Sequence, residues 1–461
     1  MEMTCREAMA AVNGELLLAG DPDKKINRVI IDSRDIGQDD LFVPLRGERT
    51  DGHRFLPDAA AKGAACSFAS QAVELSSLQE MTVIGVSETL EALQRMAAAY
   101  RSRFTLPVVA VTGSVGKTTT KDMIAAVLSS RLKTLKTAGN LNNEIGLPVM
   151  LSRLDSTYGA AVLEMGMSGY GEIDLLAKLA APTIGVITNI GESHLEMLGS
   201  REGIARAKSE LLPRLPAEGT AVVNGDEPLL VPHLQGLACS VLTFGFSSAA
   251  NLRCTDMYAD TGGKKVRLEQ EGYPPLVLAP PLPGRHNIYN LMAAVAAGRL
   301  LDLTDEEITA GLANIEMTGM RLEVVQTPAG IYVINDAYNA SPTSMAAAID
   351  VLAEKAVNAA KIAVFGDMLE LGDMEEEGHR RVGRLVAEHG LDALLVLGER
   401  AQMIAAGALA AGYSGSLVHR CDSHSHAAQL VRELAQPGDW VLLKGSRGMR
   451  MEDVLAALSE G

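Results

Sequence analysis

Along most of the chain, apolar runs of three or four residues alternate with stretches whose apolar positions repeat at helical spacing. Val108-Val109-Ala110-Val111 is such a run; glycines follow it, and then Met123, Ile124, Val127 and Leu128 fall on one helical face. Further runs at 160–163, 184–187 and 221–223 have helical patterns between them, which predicts βα units and a mostly parallel sheet. From 243 to 282 the chain turns Gly/Pro-rich and reads as a β-hairpin insertion, before a helix over about 287–301. A second series, with strand candidates at 331–334, 362–365, 394–397 and 440–443, begins near Gly330. The first hundred residues carry shorter segments (28–31, 40–43) and close on an alanine-rich helix over 89–100. The pattern therefore predicts three α/β domains, over 1–103, 104–317 and 318–461.

Composition narrows the chemistry. The 461 residues are 47% hydrophobic and 21% charged, ordinary for a globular chain, and a length prior of roughly 150 residues per domain also gives three. The formal charge of −16 argues against a broad nucleic-acid face or attachment to an anionic membrane. Phosphate-bearing substrates then require local devices. No apolar run approaches the ~18 residues of a membrane span, and no secretory signal is legible, so a cytoplasmic location is expected. Cys5, Cys66, Cys239, Cys254 and Cys421 are odd in number and scattered, which predicts reduced, partly buried thiols. The histidines at 419, 424 and 426 read as a solvated turn, not a metal site.

Thr112-Gly113-Ser114-Val115-Gly116-Lys117-Thr118-Thr119 lies between a predicted strand and a predicted helix. Glycines let the backbone curl so that amides converge on phosphate, and the helix N-terminus adds positive charge. Lys117 supplies a cation for the β/γ-phosphates and Thr118 a hydroxyl for Mg²⁺. The usual P-loop spacing would put a glycine at 111, where this chain has valine, so the loop is a shortened variant. The alternative is a glycine-rich turn that precedes a lysine by accident; the strand–loop–helix context argues for a bound nucleoside triphosphate. An Asn-Lys-x-Asp base-reading motif is absent, which argues against a GTPase. Glu164 ends the run at 160–163 and is either a metal-holding carboxylate or a turn residue.

These segments, in this order, resemble the ATP-dependent Mur ligases of peptidoglycan precursor synthesis. The loop is similar to that family's phosphate loop, and Asn140-Leu141-Asn142-Asn143-Glu144-Ile145-Gly146-Leu147-Pro148 to the asparagine-rich segment after it. Glu164-Met165-Gly166 and Thr188-Asn189-Ile190-Gly191-Glu192-Ser193-His194-Leu195-Glu196 resemble its metal-site segments. Ala207-Lys208-Ser209-Glu210 resembles the segment with its modified lysine, and Gly284-Arg285-His286-Asn287-Ile288-Tyr289-Asn290 its adenine-side motif. Residues 335–345, 366–372 and 444–447 are similar to those of the member that adds D-alanyl-D-alanine to UDP-N-acetylmuramoyl-tripeptide. Asp32-Ser33-Arg34 and Gly47-Glu48-Arg49-Thr50-Asp51-Gly52-His53 resemble motifs of its UDP-sugar domain, which a folylpolyglutamate synthase would lack. The Asp-Asn-Pro-Arg segment expected of the diaminopimelate-adding relative is absent. Ser341 stands where the family suggests asparagine, and Ser209 where it suggests glycine.

The resemblance implies a small N-terminal UDP-sugar domain, a central P-loop ATPase with a mostly parallel sheet, and a C-terminal Rossmann-like domain. It implies amide formation through an acyl phosphate, driven by ATP with Mg²⁺, in a cytoplasmic monomer serving cell-wall growth and division. Lys117 would neutralise the transferring phosphoryl. Thr118 and Glu164 would hold one Mg²⁺ and His194 a second, with a satisfied loop histidine as the alternative. Lys208 is implied to be carbamylated; alone it reads as a surface lysine. Asn287 and Asn290, one turn apart, would face the adenine, unless Asn287 is an N-cap. Arg321 would bridge to the phosphates and Asp336 to the ribose, about a hinge near Thr318-Gly319. Ser33, Arg34 and His53 are candidates for the uridine diphosphate, or ordinary surface residues. Asn142 and Asn143 face the muramoyl-peptide or brace the loop, and Tyr338 and Asn339 lie on the amino-donor side. The alternatives are another Mur-type ligase, a folylpolyglutamate synthase-like ligase, or a scaffold that has lost chemistry; the intact set of four catalytic candidates argues against the last.

Overall fold

The apolar runs build three separate sheets in the computed structural model, which describes residues 1–47, 50–78, 80–261 and 263–460. The N-terminal sheet has the order Glu15–Leu18, Thr82–Gly85, Cys66–Ala69, Leu41–Phe42, Val29–Ile30, parallel except for its first strand. The alanine-rich helix runs Thr89–Arg101 and buries Leu93, Met96, Ala97 and Tyr100.

The central sheet has nine strands. From one edge they are Leu276–Leu278, Gly263–Gln270, Leu252–Asp260, Ser240–Gly245, Thr220–Asn224, Ile184–Ile187, Val108–Thr112, Ala160–Glu164 and Thr134–Lys136. The last six are parallel, and the four inner ones, Thr220–Asn224 to Ala160–Glu164, are buried on both faces, which is why they read as continuous apolar runs. Val108 and Ala110 pack into one core, Val109 and Val111 into another. The hairpin expected between 243 and 282 forms, but it is no separate insertion: Leu252–Asp260 pairs in parallel with Ser240–Gly245 and extends the same sheet.

The helix after the loop, Lys117–Ser129, buries Met123, Ile124, Val127 and Leu128 as expected, but also Thr118 to Ala125 without a break. Helices Arg285–Leu300 and Asp305–Ala313 cover its other side. Contact there is close: a Cβ on Gly311 would lie 2.5 Å from the Ala126 carbonyl.

The C-terminal sheet runs Glu323–Gln326, Tyr332–Asn335, Trp440–Lys444, Lys361–Gly366, Ala393–Leu397, Val418–Cys421, and only its first strand is antiparallel. Strand Trp440–Lys444 comes last in the chain yet sits between the second and third strands in sequence. Chain order therefore reverses at this point, the place where open α/β sheets leave a crevice beyond their carboxyl ends. Asp336 and Lys444 lie there. All five cysteines are free and buried. Among the described residues no group of three or more His, Cys, Asp or Glu side chains is arranged to hold a metal, and no helix is long and apolar enough to cross a membrane.

Candidate active site

Strand Val108–Thr112 delivers the chain into the glycine loop, and its neighbours fix the loop's shape. Gly113 has φ +149° and a Cβ there would stand 1.9 Å from the Thr188 hydroxyl; Gly116 has φ +82° and a Cβ would meet Asn290 Oδ1 at 2.6 Å. No other residue fits either place. Behind the loop, Ser114 N donates to the Asn189 carbonyl (3.1 Å), Val115 N to Asn189 Oδ1 (2.9 Å), and Thr188 Oγ1 to the Val115 carbonyl (2.7 Å). The amides of Ser114 and Val115, expected on phosphate, are thus taken by Asn189. The donors left for an anion include the first N–H groups of the helix, at Lys117, Thr118 and Thr119, which have no partner within it.

Pairing in register sets Glu164 opposite Val111, at the end of the adjacent strand. Its buried carboxylate accepts from Thr118 Oγ1 (2.8 Å) and from Asn142 Nδ2 (2.8 Å). Asn142 therefore braces this carboxylate, whereas Asn143 Oδ1 accepts from Gly146 N (2.9 Å) and caps the next helix. Lys117 donates from Nζ to the Gly113 carbonyl (2.9 Å), and desolvation lowers its pKa against the opposing pull of Glu164. His194 holds a left-handed backbone (φ +64°), with Nδ1 2.7 Å from Glu370 Oε2 of the C-terminal domain. Lys208, on helix Arg201–Ser209, is 1% exposed, so the surface-lysine alternative falls. Burial pushes its pKa well down, Lys117 adds to the effect, and among the described residues no carboxylate pairs with it.

These groups border a cleft of about 860 Å³ between the central and C-terminal domains. Ser114, Val115, Gly116, Lys117, Thr119, Asn142, Asn143, Glu164, His194, Asn287, Asn290, Arg321, Asp336, Tyr338 and Asn339 all line it. Gly113, Thr118 and Lys208 do not reach its surface themselves. Ser33, Arg34 and His53 lie away from it, in the N-terminal domain. Arg34 pairs with Asp32, and the Ser33 carbonyl accepts from Lys62 Nζ (2.7 Å). His53 is held by Asp51 (2.6 Å) and accepts from Ser70 N (3.1 Å), so both ring nitrogens are engaged inside the domain. Glu48 and Arg49 of the neighbouring motif lie outside the described residues.

The N-cap alternative for Asn287 falls, since Gly284 holds that position. The side-chain amides of Asn287 and Asn290 both line the cleft and are oriented by hydrogen bonds at its wall. Asn287 Nδ2 donates to the Pro283 carbonyl (2.7 Å), Asn290 Nδ2 to Asn287 Oδ1 (2.9 Å), and Thr120 Oγ1 to Asn290 Oδ1 (3.0 Å). They lock the helix to the loop. Asp336 likewise accepts from Lys444 Nζ (2.5 Å) and Leu322 N (3.2 Å). Arg321 stacks over Tyr338 at 4.0 Å, with a buried Nε that has no partner among the described residues. Ser341, the family departure, caps helix Pro342–Lys355, a task asparagine performs equally well. Ser209 is buried, with an unpartnered hydroxyl. Asn189, Glu370 and Lys444 were not singled out from sequence, although each lies in one of the motif segments.

Oxygen donors suit Mg²⁺, a hard ion that keeps waters and substrate phosphates among its ligands and needs few protein groups. The Thr118–Glu164 pair beside the helix N-terminus fits that requirement, and the His194 Nδ1 is buried without a well-aligned hydrogen bond.

Three family profiles match in order: the Mur ligase family catalytic domain over 25–101, the Mur ligase middle domain over 111–298, and the Mur ligase glutamate ligase domain over 320–447. The UDP-N-acetylmuramoyl-tripeptide--D-alanyl-D-alanine ligase of Bacillus subtilis is 41% identical over 460 residues, covering 100% of this chain and 99% of that one. Its Escherichia coli counterpart is 36% identical over 464 residues, again covering 100% and 99%. Crystal structure I of MurF from Acinetobacter baumannii superposes with a TM-score of 0.89 at 32% identity, over 100% of this chain and 99% of that one. MurF ligase from Thermotoga maritima in complex with ADP gives 0.82 at 29%, over 94% and 97%. A loop, carboxylate and cleft of this form, with matches of this extent, have one conclusion: the chain belongs to the Mur ligase family.

Proposed function

We propose that the chain is an ATP-dependent ligase that joins D-alanyl-D-alanine to the terminal carboxylate of UDP-N-acetylmuramoyl-tripeptide, releasing ADP and phosphate. The observation that carries this reading is one cleft in which a phosphate loop, the Thr118–Glu164 pair, His194 and the C-terminal domain meet. The full-length relatives bearing that activity in their names, at 31–41% identity, support the choice of donor. Folylpolyglutamate synthase of Mycobacterium tuberculosis shares the fold (TM-score 0.63) but at 19% identity, and nothing in the cleft favours its substrate. Residues 1–103 would serve the UDP-sugar, 104–317 ATP, and 318–461 the amino donor, in a cytoplasmic monomer with no nucleic-acid partner.

A carboxylate is a poor acyl donor until an oxygen becomes a leaving group, and phosphorylation supplies one. The tripeptide carboxylate attacks the γ-phosphate, and the dipeptide amine then attacks the acyl phosphate and expels phosphate. Positioning and charge stabilisation are the protein's share. Helix amides at Lys117, Thr118 and Thr119 would hold phosphate oxygens, and Lys117 would turn from its loop carbonyl to the γ-phosphate. Thr118 and Glu164 would hold one Mg²⁺ and His194 a second, and the ions would supply positive charge beside the transferring group. Arg321 would approach the phosphates from the C-terminal domain, its stack on Tyr338 keeping it extended. Asp336 would serve the ribose, and Asn142 would steady Glu164. Lys208, its ammonium form disfavoured by burial, is chemically suited to add carbon dioxide and become a carbamate anion.

Incubation with ATP, Mg²⁺, UDP-N-acetylmuramoyl-tripeptide and D-alanyl-D-alanine should give stoichiometric pentapeptide product and phosphate. Turnover only with a different amino donor would reassign the chain within the family.

A further inference from the structure

His379 is a buried titratable side chain that the mechanism does not use. It lies on helix Glu375–Glu388, fully out of solvent, and both its ring nitrogens meet backbone. Nε2 accepts from Met368 N (3.0 Å), and Nδ1 lies 2.6 Å from the Glu375 carbonyl. An amide N–H can only donate and a carbonyl can only accept, so these partners dictate a neutral ring with its proton on Nδ1. Burial lowers its pKa against the pull of the Glu375 carbonyl and of the Asp367 and Glu375 carboxylates, and Arg400 acts with burial.

What the ring holds is the turn after strand Lys361–Gly366. Asp367 Oδ1 accepts from Ala401 N (2.7 Å), Met368 N goes to His379, and Leu369 N goes to Ser446 Oγ (2.8 Å). The next residue is Glu370, whose backbone is left-handed (φ +63°). That conformation is costly for a residue with a Cβ and persists only where its surroundings over-determine it. From here the turn reaches the central domain. Glu370 Oε2 lies 2.7 Å from His194 Nδ1, the Glu370 carbonyl accepts from Glu196 N (3.3 Å), and a Cβ on Gly372 would lie 3.0 Å from Glu196 Cα.

We propose that His379 is a positioning residue for ligation: by holding Met368 it sets the turn that presents Glu370 to His194, and Glu370 fixes the His194 ring across the domain boundary. The inference rests on the ligase reading above and adds what brings His194 into working orientation, a contact made only when the C-terminal domain is seated on the central one. A carboxylate accepts and does not donate. At Nδ1 it therefore favours the tautomer that carries its proton there and leaves the Nε2 lone pair free.

Kinetics of the full chain, with nitrogen NMR of the metal-free protein, test this. His379→Leu should lower kcat about 10- to 100-fold, the range for groups that orient a metal-binding histidine, and leave KM for ATP unchanged. His379→Gln, whose carboxamide oxygen can accept from Met368 N, should recover most of that loss. Glu370→Ala should lower kcat to a similar degree, and adding His379→Leu to it should cost nothing more, because both act through one contact. At about pH 8, above the ordinary histidine pKa, His194 should carry its proton on Nδ1 in the unaltered protein and show mixed tautomers in both single variants. Losses that multiply in the double variant, or full kcat in His379→Leu, would overturn the proposal. So would a His194 tautomer unchanged in Glu370→Ala, a reading that stands even if His379→Leu does not fold. Absence of any ligation by the unaltered protein would remove the ligase reading, while the NMR comparison would still decide what positions His194.

Discussion

Gly113 and Lys208 show how single positions carry the chemistry. A methyl at Gly113 has nowhere to go, with the Thr188 hydroxyl at 1.9 Å and a backbone that side chains rarely adopt. Gly113→Ala should cost about 1–3 kcal/mol in a denaturant titration and weaken ATP binding measured by calorimetry. Lys208 presents the opposite case, a residue that suits catalysis and not stability. Its amine is buried with no carboxylate partner among the described residues, so Lys208→Met should melt at the same or a higher temperature. Ligation by the same variant should fall by about a hundredfold or more. A carbamate would show as a carbon signal after exposure to ¹³C-bicarbonate, lost in the variant. The meeting of the loop and Glu164 was legible in sequence because both lie in contiguous motifs at strand ends, whereas the burial of Lys208 was not. Nor were Glu370 and Lys444, because their meaning comes from a partner far along the chain, His194 and Asp336. Helical spacing likewise put Asn287 and Asn290 on one face but could not show that they bond each other.

Among elements, the buried parallel strands were readable and the edge strands were not. Val108–Thr112 and Ala160–Glu164 are apolar throughout because both faces are covered. Glu323–Gln326 and Val418–Cys421 are half polar because each has a neighbour on one side only. Helices Glu375–Glu388 and Gln402–Ala410 touch backbone to backbone, and a Cβ on Gly383 would sit 2.0 Å from the Ile404 carbonyl. Gly383→Ala should destabilise the chain by about 1–3 kcal/mol, read from the urea midpoint. At the turn after the second of these helices, Tyr413 donates to the Leu391 carbonyl (2.8 Å), and burial pushes its pKa from 10.0 to about 12. Unfolded tyrosine ionises near pH 10 while the folded phenol stays neutral, so its contribution is whole below pH 10 and is lost as pH rises towards 12. Tyr413→Phe should flatten the fall in stability over that window.

For the whole molecule, the charge of −16 becomes a constraint on how polyanionic nucleotides are held: by a few placed cations and helix amides, not by a general field. Closure of the C-terminal domain would bring those parts together. Thr318 is tied to the loop helix through Asp122 (2.8 Å) and Lys121 (3.2 Å), so the pivot falls just beyond it, where Met320 and Leu322 hold positive φ. On the far side, Glu192 accepts from Thr343 and from Arg381 (3.2 Å) and clasps the two domains. Glu192→Ala should enlarge the radius of gyration in solution scattering and raise KM for the dipeptide; an unchanged curve would remove the clasp. The central claim, ligation through an activated carboxylate in this cleft, is tested most directly with UDP-N-acetylmuramoyl-tripeptide bearing ¹⁸O in its terminal carboxylate. In the presence of ATP, Mg²⁺ and D-alanyl-D-alanine, the pentapeptide should form and the released phosphate should carry one ¹⁸O. Phosphate without the label, or label retained with no pentapeptide formed, would contradict it.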